Sequence, residues 1–131
     1  MDTAKKEGIR RHKTVRDTPQ QNGLVKRMNS TILEKVRCML STTGLPRFFW
    51  VETVMTTKHL INRCPSTAIG LKTPQEVWSR KPTNYLNLKV FRCTTYAHVK
   101  QNKLQPKALK CIFIGYPNGV KGYKLCCLES G

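Results

Sequence analysis

Three basic side chains, Lys26, Arg27 and Arg37, are suited by type and spacing to contact phosphate groups. At about 100° per residue, a helix through this segment places them on the side opposite a stripe of apolar residues. Such a face can hold a nucleic-acid backbone without reading its sequence. The plainer alternative is a solvated surface on which Glu34 offsets part of the charge.

A second group of lysines brackets a polar loop closer to the carboxyl end of the chain. Its members are Lys100, Lys103, Lys107 and Lys110. These side chains can also meet a nucleic acid. Tyr96, Phe113 and Tyr116 lie within apolar runs nearby, so we expect them in the core rather than as platforms on which bases stack.

The net charge points to a polyanionic partner. The 131 residues contain 24 Lys and Arg against 7 Asp and Glu, which gives a net charge of +17. We therefore expect non-specific binding of DNA or RNA, with a Kd of about 10⁻⁴–10⁻⁶ M at physiological salt. No apolar run approaches the ~18 residues that span a bilayer, and the charged start resembles no secretory signal, so we predict no membrane association. The expected location is intracellular, in the nucleus or the cytoplasm, and the sequence specifies no oligomeric state.

The cysteines and histidines predict no metal site. The cysteines are Cys38, Cys64, Cys93, Cys111, Cys126 and Cys127, and none forms a Cys-x-x-Cys pair. On a strand, neighbouring Cys126 and Cys127 point to opposite faces, so we expect free thiols. The histidines, at positions 12, 59 and 98, are too widely spaced to suggest a shared ligand set.

Several segments resemble the integrases of copia-type LTR retrotransposons. Residues 18–35 read TPQQNGLVKRMNSTILEK, close to the family pattern T-P-Q-Q-N-G-x-x-E-R-M-N-x-T-L-x-E at the end of the catalytic core. Four more matches follow the family's order, at residues 6–16, 60–66, 72–78 and 109–116. The resemblance covers nearly the whole chain and implies a role in DNA integration.

Lys26 stands where this family has a glutamate. The resemblance implies that this glutamate is the third carboxylate of an Asp-Asp-Glu site for Mg²⁺ or Mn²⁺. An ammonium there removes a ligand and repels the ion by roughly 4 kcal/mol per charge pair at ~4 Å and an effective dielectric constant of about 20. Glu34 lies about 12 Å further along the helix, Asp17 precedes the helix, and Asp2 does not fit either aspartate position. We therefore expect no intact catalytic residue, no enzymatic activity and no cofactor.

The resemblance also implies where the helix meets DNA. In the family this helix lies along the duplex, so Gln20, Gln21 and Asn22 are expected near the backbone. Lys26 would then contact a phosphate directly, where a metal ion once mediated the contact.

Periodicity and breaker residues predict helices in the first two thirds of the chain. One begins with Asn22 as N-cap and ends at Gly44 and Pro46, with an apolar face of Val25, Met28, Ile32, Val36 and Met39. A second runs from Pro46 to before Pro65 and packs on the first, with Phe49, Val54 and Ile61 buried. Thr73-Pro74-Gln75-Glu76 predicts a capping box that opens a short helix through Trp78.

Short apolar runs predict strands elsewhere. They lie at residues 9–15, 89–92, 95–99, 110–116 and 122–128, with a turn at Pro117-Asn118-Gly119. The predicted fold is α+β. Residues 1–80 are expected to be a helical C-terminal remnant of an RNase H-like integrase core, and 81–88 a linker. Residues 89–131 are expected to be a partial SH3-like antiparallel β-barrel, incomplete at its C-terminus.

The sequence thus predicts a degenerate, truncated, catalytically inactive integrase fragment with residual non-specific nucleic-acid binding. Two alternatives stay open. The fragment can be a host-retained module that binds protein or RNA, or it can be a remnant without function. A nucleic-acid binder shows salt-dependent affinity, whereas a protein-docking barrel need not.

Overall fold

The computed structural model of the chain describes residues 6–10, 12–100, 102–105 and 107–127. The chain divides into two compact units, Met1–Thr31 and Ile32–Gly131. Its main elements are α1 (Gly23–Thr43), α2 (Trp50–Ile61), α3 (Pro74–Ser79), β1 (Thr94–His98), β2 (Ala108–Gly115) and β3 (Lys124–Cys127). Helices combined with an antiparallel sheet confirm the predicted α+β class. No helix within the described ranges is long and apolar enough to cross a membrane.

Proline and glycine set the two ends of α1, as predicted. Pro19 opens a 3-10 turn, Pro19–Asn22, that leads directly into the helix. Gly44 has φ +63° and donates its N–H to the Leu40 carbonyl at 2.9 Å, a left-handed helix end that glycine tolerates best. The predicted N-cap role of Asn22 is wrong, because Asn22 already lies inside the helical turn.

The apolar stripe of α1 is buried at one end only. Val36 is 5% exposed, and Ile32 and Met39 are half-buried. Val25 and Met28, which lie in the first unit, are 58% and 47% exposed. Within the second unit, tertiary packing therefore covers the stripe around Val36.

The helix predicted after Pro46 is confirmed, but the prediction of its buried face is wrong. A 3-10 turn, Arg47–Phe49, precedes α2. Three residues that the sequence predicts to be buried are only half-buried: Phe49, Val54 and Ile61. Threonines occupy the buried positions instead: Thr53, Thr56 and Thr57 are at most 1% exposed. Each hydroxyl donates a hydrogen bond within the protein, which offsets the cost of its burial.

Thr56 brings α2 into direct contact with β2. Its hydroxyl donates to the Ile114 carbonyl at 3.1 Å. A Cβ placed on Gly115 would lie 3.1 Å from the hydroxyl oxygen of Thr56, which is tighter than an ordinary contact. The helix therefore approaches the strand so closely that small side chains are needed on both sides, and this closeness explains why threonines are buried here.

The sheet has the order β1-β2-β3 and is antiparallel throughout. Three of the predicted strands are thereby confirmed. The strand predicted at 89–92 is wrong, because the chain turns there with Arg92 at φ +65°. The Arg92 N–H still reaches the Phe113 carbonyl at 2.8 Å. The strand predicted at 9–15 is also wrong for its described residues, 9–10 and 12–15.

The apolar core of the second unit joins one face of the sheet to the helices. Phe91, Ile112 and Ile114 form its buried centre. The half-buried residues packed against them are Met39, Leu45, Phe49 and Cys126. The predicted domain division with a linker at 81–88 stays a prediction. The elements on either side of that linker, α2 and β2, pack together within one compact unit.

The predicted capping box at the start of α3 is confirmed. The Thr73 hydroxyl accepts a hydrogen bond from the Glu76 N–H at 3.1 Å, and the Glu76 carboxylate accepts from the Thr73 N–H at 3.1 Å. The same carboxylate accepts from the Thr83 N–H at 3.2 Å. Glu76 thus ties the start of the helix to the segment that follows it.

These bonds make the stability of the second unit dependent on Glu76 at acid pH. The Thr73 and then the Thr83 backbone N–H groups lower the pKa of Glu76, because they stabilise its ionised form. A lowered folded-state pKa contributes stability above the unfolded-state value, and that stability is lost as the pH falls through the folded-state pKa. We expect the Tm to fall more steeply for the wild type than for Glu76→Gln between about pH 5 and pH 3. Thermal unfolding followed by circular dichroism tests this, with Glu34→Gln on α1 as control; equal slopes for wild type and Glu76→Gln would contradict it.

Candidate nucleic-acid interface

The first unit presents the predicted amide side chains in the 3-10 turn before α1. Gln20, Gln21 and Asn22 are all exposed. The Gln21 Oε1 accepts a hydrogen bond from the Val15 N–H at 2.9 Å, which joins the preceding segment to the turn. The side-chain oxygen of Gln21 is therefore hydrogen-bonded within the protein, and the side-chain NH₂ group is the part that can contact a ligand.

Lys26 and Arg27 follow in the first turns of α1 and are exposed. The first turn of the helix contains no acidic residue. Both side chains lie beyond the 3-10 turn that opens this helical run, so the positive end of the backbone dipole acts on them only weakly. Their own positive charges, with no acidic residue in the first turn of α1, favour an anionic partner.

In the second unit, Arg37 is exposed on α1. It lines a surface groove together with Arg47 and Trp50, whose side chain is 57% exposed. Two guanidinium groups beside an open indole can contact phosphates and stack against a base. The helical wheel predicts that Arg37 lies on an exposed basic face, but it does not predict Arg47 and Trp50 as neighbours of Arg37.

The β1–β2 hairpin brings two of the predicted loop lysines together. The Val99 N–H donates to the Lys107 carbonyl at 3.0 Å, which continues the pairing beyond the ends of the strands. As a result, Lys100 and Lys107 line one small groove with His98. Lys103 is exposed in the connecting loop. The described loop residues, 102–105, are exposed as predicted, whereas Lys110 lies within β2.

Tyr96 is exposed on the same hairpin, contrary to the sequence prediction that it lies in the core. It is 62% exposed and lies directly opposite Lys110 in the sheet. The signal was present in β1, where Thr94, Tyr96 and His98 alternate with less exposed residues. An open tyrosine beside a lysine is a site at which a base can stack next to its own phosphate. The core prediction holds for Phe113, which is 1% exposed, while Tyr116 is only half-buried.

The charge around this hairpin has few internal counter-ions. Residues 77–128 include ten Lys and Arg and no Asp or Glu. Among the described residues, one ion pair has its charged atoms within 4 Å: the Lys124 ammonium lies 2.6 Å from the Glu52 carboxylate. Glu76 is engaged in the cap of α3. The exposed side chains of the β1–β2 hairpin are named the hairpin strip; they are Tyr96, His98, Lys100, Lys103, Lys107 and Lys110. The charge of the strip lacks compensation along the chain.

The described residues contain no group of three or more His, Cys, Asp or Glu side chains that could hold a metal ion. The Lys26 ammonium is exposed at the position where the resemblance implies a carboxylate ligand. At this position the chain therefore offers an ammonium group, which does not fit the Mg²⁺ or Mn²⁺ ion that the resemblance implies.

Comparison with known families agrees with this architecture. Residues 93–131 match the family described as the retroviral polymerase SH3-like domain, the region that contains the three-stranded sheet. The second unit is thus of a class in which helices precede a small SH3-like β domain. No solved structure matches the chain closely.

Individual relatives extend the similarity to the helical part. The chain is 50% identical, over 121 residues or 90% of its length, to the retrovirus-related Pol polyprotein from transposon TNT 1-94 of Nicotiana tabacum. It is 32% identical over 99% of its length to the corresponding polyprotein from transposon RE2 of Arabidopsis thaliana. It is also 46% identical over 83 residues to the uncharacterized mitochondrial protein AtMg00710 of Arabidopsis thaliana, of which it covers 69%.

The chain is similar to a segment of retrotransposon Pol polyproteins, which confirms the resemblance to copia-type elements found in its sequence. It spans 9% of the length of each of the two Pol polyproteins.

Proposed function

We propose that the chain is an integrase-derived segment of a retrotransposon Pol polyprotein whose own activity is non-specific binding of DNA or RNA rather than catalysis. In this proposal, residues 1–80 correspond to the end of an RNase H-like core and residues 89–131 to the SH3-like domain. Integration of DNA is the role of the family from which the segment derives. Lys26 supplies a phosphate contact in place of a metal ligand, and no metal-dependent step is assigned to this chain.

The observation that carries the proposal is the hairpin strip. Its lysines are exposed, and residues 77–128 contain no acidic residue that would neutralise them. A merely solvated surface of a folded domain normally mixes both signs of charge. Uncompensated lysines favour a polyanion, because each phosphate contact releases counter-ions from the nucleic acid.

The contacts available suit backbone binding without sequence selection. Lysine ammonium groups act as point charges on phosphates and do not distinguish one base from another. Tyr96 adds a ring face, and every base can stack on such a face. The two features together support binding to many sequences, including single strands.

The test is a fluorescence-anisotropy titration of a labelled DNA duplex with the purified chain over a series of salt concentrations. If four lysines of the strip contact phosphates, log Kobs should fall with log salt at a slope of about −3.6 or steeper, which is about a 100-fold loss between roughly 50 and 200 mM salt. Circular dichroism on the same sample verifies folding. A folded chain that shows no binding, or binding independent of salt, would contradict the proposal and favour a protein-docking module or a remnant without function.

A further inference from the structure

Two cysteine side chains meet across the pair of strands β2 and β3. Cys111 and Cys127 are direct partners in the antiparallel register, and their sulfur atoms are 2.8 Å apart. Opposite residues in antiparallel strands have Cα atoms about 4.5–5.5 Å apart, within the range that a disulfide requires. Both cysteines are free thiols in this structure. The backbone therefore already has the spacing of a cross-strand disulfide.

The two thiols differ in their access to solvent. Cys127 is exposed, whereas Cys111 is completely buried. The hydrogen bond to Cys127, together with burial, raises the pKa of the Cys111 thiol, so Cys111 keeps its proton at neutral pH. A reagent in solution therefore meets Cys127 first, with Cys111 directly behind it.

We propose that Cys111 and Cys127 form a reversible disulfide by exchange with a small-molecule disulfide such as oxidised glutathione. The Cys127 thiolate attacks one sulfur of the reagent, forms a mixed disulfide and releases one glutathione thiolate. Cys111 then loses its proton and attacks the Cys127 sulfur, which releases the second glutathione. The two protein thiols are oxidised by two electrons, the reagent is reduced to two thiols, and the two protons end on the glutathione sulfurs.

Cys126 is not an equivalent partner for Cys111. It lies opposite Ile112 in the register, and it packs against the apolar core. Successive residues on a strand point to opposite faces of the sheet, so Cys126 and Cys111 lie on different faces. Cys126 and Cys127 are adjacent in sequence, a spacing that an ordinary disulfide does not suit.

The disulfide would fix β3 to β2. β3 has only four residues, and its pairing with β2 is irregular between Phe113 and Gly115. A covalent bond at Cys127, the last residue of β3, would secure the end away from that irregularity and close a loop of about 15 residues. The oxidised chain should therefore be more stable than the reduced chain.

The test uses the full chain with its exposed thiols at Cys38 and Cys64 changed to serine, reduced and then equilibrated in glutathione redox buffers. Intact mass spectrometry should show a loss of two hydrogen atoms with no attached glutathione, reversed by dithiothreitol. The Tm of the oxidised form should be about 10 °C higher.

Three further variants of that chain identify the bond. Cys127→Ser, at an exposed position, should abolish the two-hydrogen loss. Cys111→Ser should leave one glutathione attached to Cys127. Cys126→Ser should leave the bond intact. This variant is needed because proteolytic cleavage after Lys124 leaves Cys126 and Cys127 in one peptide, so peptide mapping alone cannot tell which of the two is bonded. Two results would overturn the proposal. One is a stable mixed disulfide of glutathione with Cys127 in the chain that lacks only Cys38 and Cys64, and the other is a bond that disappears in the Cys126→Ser variant.

Discussion

Phe113→Ala is expected to lower the free energy of unfolding of the second unit by about 3–5 kcal/mol. Phe113 is 1% exposed in the middle of β2. Its ring makes T-shaped contacts with Tyr116 and Tyr123, at centroid distances of 5.1 and 5.6 Å. Truncation leaves a cavity and removes the shared partner of both tyrosines. A loss of this size is a large part of the 5–15 kcal/mol that stabilises a typical domain.

Urea denaturation monitored by circular dichroism measures this loss. Phe113→Leu should lose less, because it retains most of the buried volume. Tyr96→Ala is the matched control on the neighbouring strand; its ring is 62% exposed, so the change should stay within about 1 kcal/mol. A Phe113→Ala protein that loses no more than the control would show that the sheet does not pack as described.

Replacing the four lysines of the hairpin strip by glutamine is expected to produce the largest change in nucleic-acid affinity. The lysines are Lys100, Lys103, Lys107 and Lys110, all of them exposed. If each contacts one phosphate, the slope of log Kobs against log salt should become less negative by about 3–4, and the affinity at about 50 mM salt should fall at least ~100-fold.

The matched control replaces the same four residues by arginine. This variant keeps every charge, so its salt slope should stay close to that of the wild type. Anisotropy titrations of the two variants and the wild type on one duplex give the comparison. If the glutamine variant binds like the wild type, the charge that matters lies elsewhere, with Arg37 and Arg47 beside Trp50 as the next surface to change.

Local signals in the sequence were enough to predict most of the secondary structure. Pro19 and Gly44 mark the ends of α1 because their effect is on the backbone and needs no partner. The capping box of Thr73 and Glu76 is equally local, since both of its hydrogen bonds lie within four residues. Such features are determined before any tertiary contact forms, and the sequence shows them directly.

Features that depend on tertiary packing were less predictable. The burial of Thr53, Thr56 and Thr57 depends on how closely α2 approaches β2, which periodicity cannot show. Residues 89–92 have the composition of a strand, yet the chain turns at Arg92. In each case a contact distant in sequence outweighed the local pattern.

The candidate site shows the same limit. The loop lysines could be predicted from the sequence because charge and polarity alone indicate an exposed loop. The exposure of Tyr96 follows from its alternation with Thr94 and His98, whereas the apolar residues around it favour burial. The hydrogen bond between Gln21 and Val15 is a contact that no sequence pattern shows. The same is true of the positions of Arg47 and Trp50 beside Arg37.

The irregular pairing of β3 shows which part of the chain specifies the alignment of that strand. The shift lies between Phe113 and Gly115, and the carbonyl of Ile114 between them accepts a hydrogen bond from the Thr56 hydroxyl. A bulge disrupts the ladder locally and leaves a backbone group in need of another partner. A helix 58 residues earlier in the chain supplies that partner. The residue at which the pairing of β3 shifts is thus held partly from outside the sheet, by a hydroxyl of α2.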